Sequence, residues 1–348
     1  AVDTEFVRTE TFYPIAGLIQ IGDGKRAYLI DPLEITDWAP LVELLQAPDV
    51  VKVLHACSED LEVFSRLCGA YPLPLFDTQL AAAFLGMDFS MGYSRLVSAQ
   101  LNIDLPKEET RSDWLQRPLS DAQIEYAQHL AELYELLAPR IAEAGVEEWL
   151  FADTAEQVAG SGQVIDPELA YQQVKQAWRL NPAQLAILQR LAFWRETESR
   201  ERDQARNRLV RERALCPLAQ QQPDNLQALS RIEDMHPRTV RHDGETLLQL
   251  IREGQAADPQ DYPERLPEPL PAAANRLLKL MRKIGSAEAE RLNIAPEIML
   301  RKKVIEAMLR TGYPNGPYHL PAELVGWRRE LLGEALLKVA NAEAEEPV

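Results

Sequence analysis

The chain has 348 residues, 46% hydrophobic and 26% charged, with a net charge of −17. That length fits two or three domains, and no apolar run approaches the ~18 residues a membrane-spanning helix needs. Three cysteines, Cys57, Cys68 and Cys216, without Cys-x-x-Cys spacing, argue against a disulfide framework or a zinc site and favour a reducing cytoplasm.

The chain opens abruptly on AVDTEF, without methionine or a signal segment, inside what reads as a strand, as though upstream residues were absent. Strands are expected at 2–7, 17–22, 27–32 and 50–56, short β-branched or apolar runs punctuated by Gly, Pro and Asp. The first three are close enough for an antiparallel meander. Helices are expected at 37–46, 58–68, 77–86, 92–100 and 120–144. A meander followed by alternating strands and helices predicts an α/β domain over 1–150, a mixed sheet with helices on its faces. The polar, Gly-rich stretch 152–168 marks a connecting segment over 151–178. A helical block over 179–254 follows, with Leu185, Leu188, Leu191 and Trp194 at helical spacing. Residues 255–271, rich in proline, form a second linker before another helical block at 272–345. Both blocks open on a long amphipathic helix, which suggests a repeated module.

The charge is unevenly distributed. Residues 1–150 hold 25 acidic and 10 basic side chains, whereas 188–213 hold eight arginines against five acids and 271–303 eight basic residues against three acids. An acidic domain thus precedes two locally basic helical patches, which are either solvated helix faces or contacts for a polyanion.

Asp3 and Glu5 lie two apart on the first strand and share a face. Paired carboxylates on an apolar strand resist desolvation, and a hard cation such as Mg²⁺ or Mn²⁺ would relieve that; an edge strand in water would serve as well. In HACSEDLEVF, Ser58 can cap a helix whose first turn carries Asp60, either as a ligand at a strand end or as a helix-dipole acid. Asp77 reads as another helix cap, and His55 as a core histidine or a group near a bound phosphate. No Ser-His-Asp or Cys-His pattern competes for a nucleophilic role.

VDTEF, HACSEDLEVF and the later EYA resemble the three motifs of the DEDD 3′–5′ exonuclease superfamily, and the match is closer still to its bacterial ribonuclease D branch. DTEFVRTETFYPIAGLIQI, LFDTQLAAAF and ETRSDWLQRPLS are also similar to that branch, and the resemblance covers essentially the whole chain. It implies a ribonuclease H-like nuclease domain followed by two all-α HRDC-like (helicase and RNase D C-terminal) domains. It further implies a two-metal phosphodiester hydrolase using two Mg²⁺ or Mn²⁺ ions. Asp3 matches the aspartate that bridges both metals, Glu5 the second ligand of that motif, and Asp60 the aspartate of the second motif. Tyr126 matches the tyrosine that orients the attacking water. Arg200, Arg202, Arg206 and Arg208 in the first helical block, and Lys302 and Lys303 in the second, are the expected phosphate contacts. Trp114 and Arg111 are candidates for the substrate path.

A tyrosine-type member of the superfamily carries Tyr-x-x-x-Asp, but here Leu130 stands four residues after Tyr126. Three readings follow. The site is impaired, leaving an RNA-binding protein; a neighbour, His129 or Glu132, substitutes; or four residues of the form x-x-Asp-Val are absent between Ala127 and Gln128. The expected activity is metal-dependent 3′–5′ exoribonuclease action releasing nucleoside 5′-monophosphates, in tRNA 3′ maturation, by a cytoplasmic monomer without a membrane partner. A 3′–5′ DNA exonuclease is the alternative, since the metal site does not read the sugar.

Overall fold

The computed structural model describes residues 1–105, 112–120, 123, 129–161 and 165–345. Alternating burial in the first strand, β1 (Val2–Val7), puts Val2 and Thr4 inward. It is followed by β2 (Ile15–Gly22) and β3 (Ala27–Ile30) in the order β1-β2-β3, and β2 pairs with β3 antiparallel from Ile19↔Ile30 to Gly22↔Ala27. The turn between them forms because the Asp23 carboxylate accepts the Lys25 and Arg26 amides (2.8 and 2.7 Å) and Gly24 takes φ +82°. A second, parallel sheet joins β4 (Lys52–Leu54) to β5 (Leu75–Asp77). The expected antiparallel and parallel pairings therefore fall in two small sheets.

The helices of this part are α1 (Ala39–Gln46), α2 (Ser58–Cys68), α3 (Thr78–Phe84), α4 (Tyr93–Leu101), α5 (Leu130–Glu143) and α6 (Glu147–Ser161). Helix α6 occupies much of the stretch expected as a linker: Leu150, Thr154 and Val158, one turn apart, are buried and override its polar, Gly-containing composition. The cap at α2 differs from expectation as well. Cys57, not Ser58, is the N-cap residue and offers no side-chain bond. Asp77 does the fastening instead. Its Oδ1 accepts the amides of Ala56 (3.0 Å), Gln79 (2.8 Å) and Leu80 (3.3 Å), and its Oδ2 accepts the Cys57 amide (3.0 Å). One buried carboxylate at the end of β5 therefore caps α3 and holds the turn that feeds α2.

Trp114, a candidate for the substrate path, is instead packing: it is buried, and a Cβ at Gly17 would lie 2.5 Å from its carbonyl oxygen. Arg117 pins that segment through Asp31 (2.5 and 2.6 Å) and the Gly17 carbonyl (2.7 Å). Arg111, the other candidate, lies outside the described residues.

The chain divides into two compact units, Ala1–Phe6 with Ala16–Gly162 and Leu270–Val348, and Val7–Ile15 with Gln163–Pro269. The second contains α7 (Pro182–Glu201), α8 (Arg206–Leu209), α9 (Glu212–Gln221), α10 (Leu226–Leu229) and α11 (Pro237–Gln255) around Leu185, Leu188, Leu191, Leu215 and Leu247. Helix α7 begins with a capping box between Asn181 and Gln184. The C-terminal block, α12 (Asn275–Leu292), α13 (Pro296–Met299), α14 (Lys302–Arg310) and α15 (Gly326–Glu345), shares one core with helices of the N-terminal α/β part. Trp327 stacks on Trp149 at 4.6 Å and meets Phe84 at 5.8 Å, and Arg328 binds Asp153 through two bonds (2.7 and 2.5 Å).

Replacing Asp77 with alanine orphans four amides, two of them at the buried turn before α2. We expect a loss of about 2–4 kcal/mol in urea unfolding, with Asp77→Asn retaining part of the stability; an unchanged midpoint for Asp77→Ala would refute the fastening role.

Candidate active site

The turn held by Asp77 aims the first turn of α2 at β1. There Asp60, 6% exposed, meets Thr4: the Thr4 amide donates to Asp60 Oδ1 at 3.1 Å, and the Thr4 hydroxyl donates to the same oxygen. Thr4 sits between Asp3 and Glu5, so this pair of bonds brings the second-motif carboxylate beside the first-motif strand. Asp3 and Glu5 are half-buried. Burial raises the Asp3 carboxyl to about 6, opposed by a backbone bond at Thr4. Burial first, and the charge of Asp3 second, push the Asp60 carboxyl well above the usual range, against the pull of the Thr4 bonds. Two carboxylates that burial keeps from ionising, one of them opposed further by the charge of the other, form a site that a divalent cation would neutralise.

The structure thus sets Asp60 against the strand that carries Asp3 and Glu5. Among the described residues no three acidic, histidine or cysteine side chains converge closely enough to hold an ion. Tyr126 and the junction of Ala127 with Gln128 lie outside the described residues. Leu130, in the position of the fourth acid, is buried at the start of α5. His129 and Glu132, the two possible substitutes, bind each other (Nδ1 to Oε2, 3.0 Å), although Glu132 lines a cleft of about 380 Å³ that Asp3 also lines.

Around this pair, His55 is held by Thr78. The Thr78 hydroxyl donates to the Leu54 carbonyl (3.1 Å), so the 2.9 Å contact with His55 is a donation from Nδ1. Burial lowers the His55 pKa, with Asp77 opposing. The Cys57 thiol is driven far up by burial and then by Asp77, which keeps it protonated and out of any nucleophilic role. Thr4 is the functional residue that sequence reasoning missed. Its signal was available: a polar side chain on the core-facing side of an acidic strand needs a buried partner.

The expected phosphate contacts are mostly engaged elsewhere. Arg200 and Arg206 both bind Glu196, a buried acid (2.5 Å, and 2.5 and 2.6 Å). Their guanidinium carbons lie 5.8 and 4.6 Å from the Phe12 ring centroid. Arg202 pairs with Glu198 and with Asp243 (2.8 Å), and Arg208 with Glu10 (2.5 Å). Asp203 accepts the Phe12 and Tyr13 amides (3.1 and 3.0 Å), and the Ala205 amide donates to the Glu10 carbonyl (2.8 Å). This arginine-rich stretch holds the segment Val7–Ile15 within the helical unit, a structural task the basic composition did not disclose. Lys302 pairs with Glu306 (3.1 Å), while Lys303 has no carboxylate partner among the described residues.

Comparison with known proteins places this geometry in context. Residues 1–141 match the family model described as 3′–5′ exonuclease, and residues 184–251 the HRDC domain. The chain is 58% identical to ribonuclease D of Pseudomonas paraeruginosa, covering 98% of this chain and 92% of that protein. It is 39% identical to ribonuclease D of Escherichia coli, covering 97% and 91%. The crystal structure of Escherichia coli RNase D, described as an exoribonuclease involved in structured RNA processing, superposes with a TM-score of 0.90 at 36% identity, covering 98% of this chain and 92% of that one.

The burial of the Asp3 carboxyl has a measurable sign. The folded state holds Asp3 at a raised pKa, so its penalty is absent below about pH 4, grows between about 4 and 6, and is complete above. In EDTA at pH 7.5, Asp3→Asn is expected to stabilise the protein by about 1–3 kcal/mol in thermal unfolding, with the gain vanishing near pH 4. A variant destabilised at pH 7.5 would contradict this.

Proposed function

Because the chain belongs to the ribonuclease D family, we propose that it acts as a 3′–5′ exoribonuclease, releasing nucleoside 5′-monophosphates from RNA 3′ ends, in tRNA 3′ maturation, as a monomer in the cytoplasm. The observation that carries the reading is the Thr4–Asp60 linkage, which sets the acid of α2 beside the acids of β1 in a buried place. Asp3, Glu5 and Asp60 would hold two Mg²⁺ or Mn²⁺ ions, which when bound supply charge stabilisation at the phosphate and an activated water. Asp3 would reach the ions from β1, and Thr4, through its two bonds to Asp60, would keep that carboxylate turned toward the same strand. Tyr126 orients the attacking water. His55, its Nδ1 committed to Thr78, keeps a fixed ring orientation near the same strand end.

The helical parts supply substrate grip. The C-terminal block is read as a second HRDC-like module. Its helices run 18, 4, 9 and 20 residues, against 20, 4, 10, 4 and 19 in the first. Apart from the additional four-residue helix of the first block (Leu226–Leu229), the order of lengths is shared, which supports a common origin. The arginines at 200–208 are proposed to act mainly as architecture, leaving phosphate contact to the C-terminal block, Lys303 foremost.

A second reading is favoured by one observation: Leu130 is buried where the fourth acid is expected. On that reading the chain binds RNA without cleaving it. Incubation with a labelled RNA and Mn²⁺ separates the two. We expect mononucleotide release from RNA, weaker release from matched DNA, and none from Asp3→Asn, which should still bind RNA. Binding without release by the unmodified chain supports the second reading, and release by Asp3→Asn refutes the metal-bridging role.

A further inference from the structure

Away from the acidic pair, the nuclease helices and the C-terminal block enclose a cavity of about 590 Å³ within one compact unit. Ser58, the first residue of α2 and two residues before Asp60, lines it on one side. So does Phe89, which is 37% exposed, an unusual state for a phenylalanine that packs into no core. From the other side come Arg301 and Lys303. The Arg301 guanidinium carbon lies 5.9 Å from the Phe89 ring centroid. Neither cation has a carboxylate partner among the described residues, in contrast to the arginines at 200–208 and to Lys302.

Arg328 also lines the cavity but is committed: it binds Asp153 and donates to the Ile298 carbonyl (2.7 Å). That ion pair removes the Asp153 charge from the cavity and fixes the C-terminal wall. The Asp77 carboxylate, also in the lining, is filled by four amides. The acids left are Glu156 and Glu323, both exposed. They oppose passage of a continuous polyanion, and they are acceptors for the amino groups of a base.

An exposed aromatic face, two uncommitted cations and a volume within the range of small-ligand sites fit one ligand class, a single nucleotide with its base on the ring and its phosphate on the cations. We propose that this cavity holds a nucleotide of the RNA strand upstream of the one being removed, with the base stacked on Phe89 and the phosphate between Arg301 and Lys303. The inference rests on the exoribonuclease reading, because Ser58, two residues before Asp60 on α2, lines the cavity and so sets it next to the candidate site. It gives the C-terminal block a defined task, gripping one nucleotide next to the site of hydrolysis.

Equilibrium binding tests it independently of cleavage. A 5′-fluorescein oligoribonucleotide is titrated with the full chain in EDTA, and anisotropy is read over a series of salt concentrations. The double variant Arg301→Ala/Lys303→Ala should weaken binding about tenfold and flatten the log Kd against log salt slope by about 1. Phe89→Ala should weaken binding about five- to tenfold with the slope unchanged, and Phe89→Tyr should restore it. Arg291→Ala, which removes a charge from the same block but away from the cavity and paired with Glu288, should stay within about twofold. The proposal is overturned if the double variant and Phe89→Ala both bind like the unmodified chain, or if Arg291→Ala weakens binding as much as the double variant. Failure of the unmodified chain to bind RNA at all would instead overturn the exoribonuclease reading.

Discussion

The structure is organised around a repulsion. Asp3 on β1 and Asp60 on α2 are placed where burial opposes the ionisation of both and the charge of Asp3 opposes that of Asp60. An isolated arrangement of this kind would relax by turning one side chain to water. Here it is held, because Thr4 gives Asp60 both an amide and a hydroxyl donor and because Asp77 fixes the turn from which α2 starts. Stability is thus spent on placing like charges side by side, an arrangement expected where function, not folding, sets the geometry. The protein's own donors pull the Asp60 pKa down without overcoming burial, so the site is left to be completed by a cation.

Charge elsewhere follows the same division between committed and uncommitted groups. A net charge of −17 is unfavourable for binding a polyanion, and the arginine-rich stretch of the helical unit does not offset it as its composition suggests. Glu196, almost fully buried, takes two guanidinium groups, and desolvating it without them would be prohibitive. Those same groups flank Phe12. Other cations, Lys279 and Lys283 among them, also lack a carboxylate partner among the described residues, but Arg301 and Lys303 line a cavity. The position of unpaired cations, more than the number of basic residues, decides where a phosphate can be held.

Much of the nuclease unit was legible in the sequence. The strands at the start and helices α1 to α4 come from local period and punctuation, and Asp77 was readable as a cap. Asp3, Glu5 and Asp60 stood out as candidates through their motifs, and the structure sets Asp60 against Thr4, between the other two on β1. What was not legible depends on contacts distant in sequence. Strand β5 is three residues long and has no period to detect; it exists because Leu75 and Phe76 are buried beside β4. The membership of Val7–Ile15 in the helical unit is set by Asp203, Ala205 and the arginines almost 200 residues away. Thr4 looked like a spacer between two acids, because its partner is 56 residues further on.

The two helical blocks bury their apolar faces in different ways. The first closes on its own leucine-rich core. The second cannot be described apart from the nuclease, because its apolar face continues into the nuclease core through Trp327, Trp149 and Phe84. Once that face is joined, Arg328 is drawn to Asp153, and the start of α14 is carried to the edge of the cavity beside α2. The basic residues there owe their placement to a hydrophobic contact. A block that had kept a separate core would present Arg301 and Lys303 to open solvent, where phosphate contacts are weak and unspecific. Merging the cores turns the same side chains into one wall of an enclosed site.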